Sequence, residues 1–230
     1  MAAGEATDEA AEKGELEAAL DGVARLYGRS LGDHGLTSKG VGWKTEGEQL
    51  LRFEKLCAVL DRRGGDGGAQ GVSVNDLGCG YGAMFRYLDG LLGARLAAYH
   101  GYDISDEMLS AARRSVADPR AEFVKAGRAV READYSFVSG TFNVKQGASD
   151  EVWAAYVREM ILNLAAHSRR GFAFNVLSTY VDWKQENLYY ADPLAFFDFC
   201  KREVSPYVAL LHDYPLYEWT ICVRKKGPAR

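Results

Sequence analysis

Apolar residues along the chain recur with a period that changes several times, and each change marks an element. Leu16, Leu20, Val23 and Tyr27 recur at helical spacing and predict a helix that begins near Glu15 and ends at Gly28. The residues before it are Ala, Glu, Asp and Gly with little to bury, which predicts a frayed start. Gly28 to Lys44 contains Gly28, Gly32, Gly35, Gly40 and Gly42 and reads as a loop. A second helix follows, with Leu50, Phe53, Leu56, Cys57 and Leu60 on its apolar face and Arg52, Glu54 and Lys55 facing water. It is expected to close at Arg62 or Arg63. The run from Gly64 to Gly71 holds too many glycines for regular structure and reads as a connector.

From Val72 the pattern alternates. Val72 to Leu77, Ala97 to Asp103, Ala121 to Lys125, Tyr135 to Ser139 and Gly171 to Leu177 are short apolar runs that predict strands. Ala83 to Leu92, Asp106 to Val116 and Glu151 to Ala166 carry helical periodicity between them. Such alternation predicts a parallel sheet covered by helices on both faces. After a helix over Pro193 to Arg202, Tyr207 to His212 and Leu216 to Arg224 are strand-like runs separated only by Asp213, Tyr214 and Pro215. So short a link cannot carry a parallel crossover, so the chain is expected to end in an antiparallel hairpin. The predicted architecture is α/β, with a mostly parallel seven-stranded sheet. The expected division is a helical cap over residues 1–63, a connector over 64–71 and a body over 72–230.

Composition narrows the function. The 230 residues are 47% hydrophobic and 26% charged, which suits a soluble globular protein built on one core. A net charge of −4 lacks the positive field that binding a phosphate backbone uses, so nucleic acid is not an expected partner. The four cysteines, Cys57, Cys79, Cys200 and Cys222, lie far apart and suggest neither a metal site nor a redox dithiol; they read as reduced thiols of the cytoplasm. The start has no signal-peptide pattern, and no stretch approaches the ~20 apolar residues of a membrane span.

The chemistry concentrates in one place. Val74-Asn75-Asp76-Leu77-Gly78-Cys79-Gly80-Tyr81-Gly82 sets three glycines at alternate positions between a predicted strand and a predicted helix. Glycine there lets the backbone turn tightly and approach a ligand, and the helix start offers unpaired N–H groups. One strand-helix-strand unit later, His100-Gly101-Tyr102-Asp103-Ile104-Ser105 puts an acid where it can accept bonds from both hydroxyls of a ribose. Together these describe a nucleoside pocket. The glycine pattern also fits a dinucleotide site of an NAD-dependent oxidoreductase. Asp76, however, would repel a pyrophosphate and favour a sulfonium or ammonium group.

On these residues the sequence resembles the class I S-adenosylmethionine-dependent methyltransferases over about Val72 to Lys225. The likeness extends to Asp106-Glu107-Met108-Leu109, Ala111-Ala112 and the terminal hairpin. The resemblance implies that S-adenosylmethionine is the cofactor and S-adenosylhomocysteine the product, with no metal. It further implies that the loop of Gly78, Cys79, Gly80, Tyr81 and Gly82 borders the methionine part, that Asp103 holds the ribose, that Asp76, Ile104 and Met108 are further cofactor contacts, and that Ser139 and Gly140 lie beside the transferring methyl. The acid that many members place after the third strand to contact adenine is missing from Phe123-Val124-Lys125-Ala126-Gly127-Arg128, which leaves Arg128 and Ala129 as the adenine candidates.

The acceptor is less legible. The Asn/Asp-Pro-Pro-aromatic signature of amino-methylating DNA enzymes and the Pro-Cys nucleophile of cytosine-carbon enzymes are both missing, which favours a small polar molecule or natural-product intermediate. A protein or RNA acceptor and a non-catalytic nucleoside-binding module are the other readings. His34, Lys39 and Trp43 in a glycine-rich loop, with Tyr27 and Gln49, are expected to form a lid over the cofactor, by analogy with small-molecule methyltransferases whose N-terminal helices close the acceptor pocket. The alternative is that these helices cover a sheet edge. Asn143, Asn175, Ser178, Tyr180 and Asp182 are the expected acceptor contacts, at the strand ends where open sheets bind ligands. No catalyst declares itself, and the candidates are His34, Asn143 and Tyr180. His167 and His212 read as surface histidines.

Overall fold

In the computed structural model, which describes residues 2–61 and 71–226, the strands are short and the helices start where the local sequence can cap them. Helix α1 is Ala2–His34, α2 Glu46–Leu56, α3 Ala83–Leu92, α4 Asp106–Ser115, α5 Asp150–His167 and α6 Pro193–Glu203. Thr45, Ser105, Ser149 and Asp192 cap α2, α4, α5 and α6 by accepting backbone N–H groups from Glu48, Met108, Val152 and Leu194. The strands are β1 Val72–Leu77, β2 Leu96–Asp103, β3 Ala121–Lys125, β4 Ala133–Val138, β5 Ser168–Ser178, β6 Tyr190–Ala191, β7 Tyr207–Leu211 and β8 Glu218–Arg224.

They form one sheet in the order β3-β2-β1-β4-β5-β8-β7, in which β8 alone runs against its neighbours. The expected final antiparallel hairpin is therefore present. The sheet gains an eighth, two-residue strand, β6, which pairs with the end of β5 in parallel register. Strand order reverses between β1 and β4, and the crevice beyond their carboxyl ends is where such sheets bind ligands.

Alternating residues build a core on each face. Phe172, Phe174 and Val176 of β5 and Trp219, Ile221 and Val223 of β8 pack with α5 and with Ala19 and Val23 of α1. Val72 and Val74 of β1 pack on the other face with Met84, Phe85 and Leu88 of α3 and Phe53 and Leu56 of α2. The two N-terminal helices thus belong to the two cores.

Three local expectations fail. Helix α1 begins at Ala2 rather than near Glu15 and runs through Gly28 and Gly32 to His34. Each helical glycine costs about 1 kcal/mol. Packing of α1 against α4 and α5 offsets that cost, and the absent side chain at Gly28 leaves room for Glu107, 3.4 Å from where a Cβ would lie. The helix stops at Gly35, which takes φ +65° while its N–H donates to the Leu31 carbonyl at 2.8 Å. On α2, Leu50 is 42% exposed and Arg52 is buried, the reverse of the expected faces, because Arg52 meets a carboxylate from β8. The expected closure at Arg62 or Arg63 and the connector up to Gln70 lie outside the described residues.

Candidate functional site

The turn after β1 is shaped by its glycines. Gly78, Gly80 and Gly82 take φ of +75°, +53° and +83°. A Cβ on Gly78 would lie 2.0 Å from Thr141 Oγ1, so this position accepts no side chain. The Gly78 and Cys79 N–H groups donate to the Tyr102 carbonyl at 2.8 and 2.9 Å, which ties the turn to β2. Asp103, at the end of β2, accepts the Gly80 N–H and the Ser105 N–H at 2.9 Å each. A carboxylate has about four acceptor positions, so others remain for a ligand.

These groups line a recess of about 930 Å³, counting its mouth, closed by Leu20, Val23 and Tyr27 of α1, Trp43, Gln49 of α2, and Trp153 and Tyr156 of α5. Asp76 is buried in its wall and accepts the Tyr99 hydroxyl. Burial, aided by the nearby Asp103, pushes its carboxyl up to about 7 against the Tyr99 bond. Asp103 is also raised by burial, opposed by the N–H groups of Ser105, Gly80 and Ile104. The recess therefore holds two carboxylates whose ionisation a cationic ligand would favour. Ser139 Oγ, buried in the same wall, has no hydrogen-bond partner among the described residues.

A second recess, of about 1550 Å³ with its mouth, adjoins the first. Tyr27, Val41, Trp43 and Gly140 border both. Around their meeting point five residues form a closed ring. The Gly140 N–H donates to Asn175 Oδ1 at 2.7 Å, and Asn175 Nδ2 donates to Glu218 Oε2 at 2.7 Å. Glu218 pairs with Arg52 Nε at 2.5 Å, and the Arg52 guanidinium stacks 3.7 Å from the centre of the Trp43 ring. The indole packs back on Gly140, where a Cβ would lie 2.3 Å from its ring atoms. The ring joins α2 and the segment just before it to β5, β8 and the turn after β4.

A family of methyltransferase domains matches residues 74–167. Over 162 residues the chain is 51% identical to "Putative methyltransferase Rv1506c" of Mycobacterium tuberculosis, an alignment that takes in 68% of this chain and 95% of that one. The chain belongs to the class I S-adenosylmethionine-dependent methyltransferases. The methyltransferase shares its fold with a magnesium protoporphyrin IX methyltransferase, ChlM of Synechocystis PCC 6803 (TM-score 0.54, 16% identity, 78% of this chain and 80% of that one). It also shares it with DhpI in complex with SAH (TM-score 0.59, 16% identity, 92% and 98%).

Of the residues expected at the cofactor, the methyltransferase brings Asp76, Gly78, Cys79, Gly80, Tyr81, Asp103, Ile104, Met108, Ser139, Gly140, Tyr27 and Trp43 into the first recess. Gly82 turns the chain into α3 without lining it. Arg128 points to the surface and pairs with Glu159 at 2.6 Å, while the Ala129 N–H is taken by Asn163 at 2.9 Å, so neither adenine candidate reaches the recess. Ala126 and Gly127 line it instead. Lys39 stays outside both recesses, and its carbonyl accepts the Ser30 hydroxyl and the Gly42 N–H.

Of the catalytic candidates, His34 is exposed at the end of α1 and Tyr180 is 66% exposed against His212, both outside the recesses, because α1 and the loop after β5 carry them outward. Asn143 lines the second recess, where its Oδ1 accepts the Leu177 N–H at 3.1 Å. Asn175 and Ser178 are buried behind the lining; Asn175 positions Gly140, and Ser178 Oγ accepts the Tyr180 N–H. Trp153 and Tyr156 were legible only as the apolar stripe of α5, and nothing in their spacing says that they face a ligand.

Buried acids make ligand-free stability depend on pH. Asp76 and Glu218 are each raised to about 7 by burial, from ordinary values of 3.8 and 4.5. The folded state then binds more protons than the unfolded one, so their stabilisation is full below the ordinary values and is lost as pH rises through 7. The thermal midpoint of the ligand-free protein should fall between pH 6 and pH 8, and less steeply in Asp76→Asn. An unchanged slope in that variant would show that Asp76 is not held protonated.

Proposed function

We propose that the chain moves the methyl group of S-adenosylmethionine, held in the first recess, to a small molecule held in the second, leaving S-adenosylhomocysteine. The observation that carries this reading is the shared wall of Tyr27, Val41, Trp43 and Gly140, since ligands filling the two recesses would meet at Gly140. The first recess suits the donor. Asp103 retains acceptor positions for ribose hydroxyls, Asp76 favours a cation, Ser139 Oγ lacks a partner among the described residues, and the glycine turn leaves no Cβ in the way.

When bound, the donor supplies a methyl group on a sulfonium, whose transfer leaves a neutral thioether. The chain's task is alignment and exclusion of water. Asn175 fixes Gly140 through its N–H, and Trp43 lies over Gly140 under the Arg52 guanidinium. Among the described residues lining the second recess there is no histidine; its carboxylates are Glu48 and Asp182, the groups able to accept a proton from an O–H or N–H acceptor. The likeness in fold to a porphyrin methyltransferase supports a small-molecule acceptor. Four buried cysteines support a place in the cytoplasm, and among the described residues no helix is long and apolar enough to cross a membrane.

Parallel calorimetric titrations with S-adenosylmethionine, S-adenosylhomocysteine and NADH test the donor site. The first two should bind and NADH should not. Binding of NADH alone would overturn the proposal in favour of an oxidoreductase.

A further inference from the structure

The second recess has a chemistry of its own. Its walls are largely rings and aliphatic side chains, among them Trp43, Trp183, Tyr190, Tyr217, Leu177 and Leu188. Trp183 and Tyr217 stand 68% and 64% exposed at its edge, large apolar rings held in water with no protein surface over them. Rings left uncovered beside a recess continuous with a reaction site mark a ligand surface.

The charges are arranged differently. Arg52 is the one buried cation among the described lining residues, and Glu218, itself fully buried, already neutralises it. Its Nη1 is spent on the Glu48 carbonyl at 2.9 Å, and its face on Trp43. Lys44 and Asp182 are exposed and Glu48 is half-buried, so these charges of both signs keep contact with water. No unpaired buried charge is therefore available inside the recess. A carboxylate or ammonium entering it would exchange its hydration for a water-screened pairing with Lys44, Glu48 or Asp182 at most, which offsets little of the desolvation cost. A neutral molecule meets no such cost. Gln185 and Asn187 remain in the lining to hydrogen-bond hydroxyl or carbonyl groups.

We propose that the methyl acceptor is an uncharged molecule with a flat aromatic or polycyclic body, stacked on Trp183 and Tyr217 at the mouth and presenting its reactive atom at Gly140. This narrows the small polar acceptor expected from sequence, and it rests on the methyl-transfer reading of the two recesses. The second recess offers about 500 Å³ to a ligand, room for a body of fused rings.

The test uses three probes that share one body and differ in charge: 2-naphthol, 2-naphthoate and 2-naphthylmethylammonium. Each is titrated calorimetrically into the full chain, alone and with saturating S-adenosylhomocysteine. The neutral probe should bind at least tenfold more tightly than either charged one. Trp183→Ala and Tyr217→Ala should each weaken it about fivefold or more while leaving S-adenosylhomocysteine affinity unchanged, because neither residue lines the first recess. Equal or tighter binding of a charged probe overturns the proposal, as does naphthol affinity indifferent to both substitutions. S-adenosylhomocysteine bound with every naphthyl probe silent overturns the acceptor proposal alone. Naphthol bound with S-adenosylhomocysteine silent overturns the methyl-donor reading.

Discussion

Arg52→Met should lower the free energy of unfolding by about 3–5 kcal/mol, the usual cost of leaving one member of a buried ion pair without its partner. Glu218 is 0% exposed and Arg52 6%, so water cannot replace the lost counter-charge. Asn175 and Asn143 still donate to the carboxylate, but two neutral donors do not balance a buried negative charge. The variant can relieve itself by binding a proton. Burial already holds the Glu218 carboxyl at about 7 with Arg52 present, and removing the cation pushes it higher. The deficit should therefore be larger at pH 8 than at pH 6. Arg52→Met combined with Glu218→Gln should recover most of the loss, since glutamine keeps an acceptor for Asn175 without the charge. Denaturant titration of the three variants at both pH values measures this. A loss below about 1 kcal/mol in the single variant would mean that the pair does not hold α2 to β8, and failure of the double variant to recover would place the cost in packing on Trp43.

Asp103→Ala should weaken binding of S-adenosylhomocysteine by about 2–3 kcal/mol, a rise in Kd of about thirty- to 150-fold, through loss of charge-assisted bonds to the ribose. The carboxylate also holds the Gly80 and Ser105 N–H groups, so part of the loss comes from a looser glycine turn. Asp103→Asn separates the two contributions. It keeps one oxygen acceptor but presents an amide donor to one of those N–H groups, so its ligand-free thermal midpoint reports the turn, whereas calorimetry reports the ligand. Unchanged affinity in both variants would remove the ribose assignment.

The parts of the site that were readable in advance are those whose chemistry is local. A glycine that must take positive φ between a strand and a helix declares itself whatever packs around it, and so does an acid at a strand end one unit later. The capped starts of α4, α5 and α6 are local in the same sense. Errors came where a distant residue reversed a local preference. Arg52 lies on a helix otherwise dotted with charge and was expected in water, but Glu218, on a strand near the other end of the chain, draws it inside. Gly28 and Gly32 favour a break, yet α1 continues because its packing on α4 and α5 outweighs the glycine cost.

The sequence by itself determined the strand-helix alternation, the closing antiparallel hairpin, the glycine turn and Asp103, because hydrophobic period and backbone stereochemistry act over a few residues. Only the tertiary structure decided that Trp43, Arg52, Glu218, Asn175 and Gly140 close into one ring, and that a mostly apolar recess without a free buried charge opens beside it. Those contacts join segments remote in the chain, and their energies depend on burial, which no local pattern records.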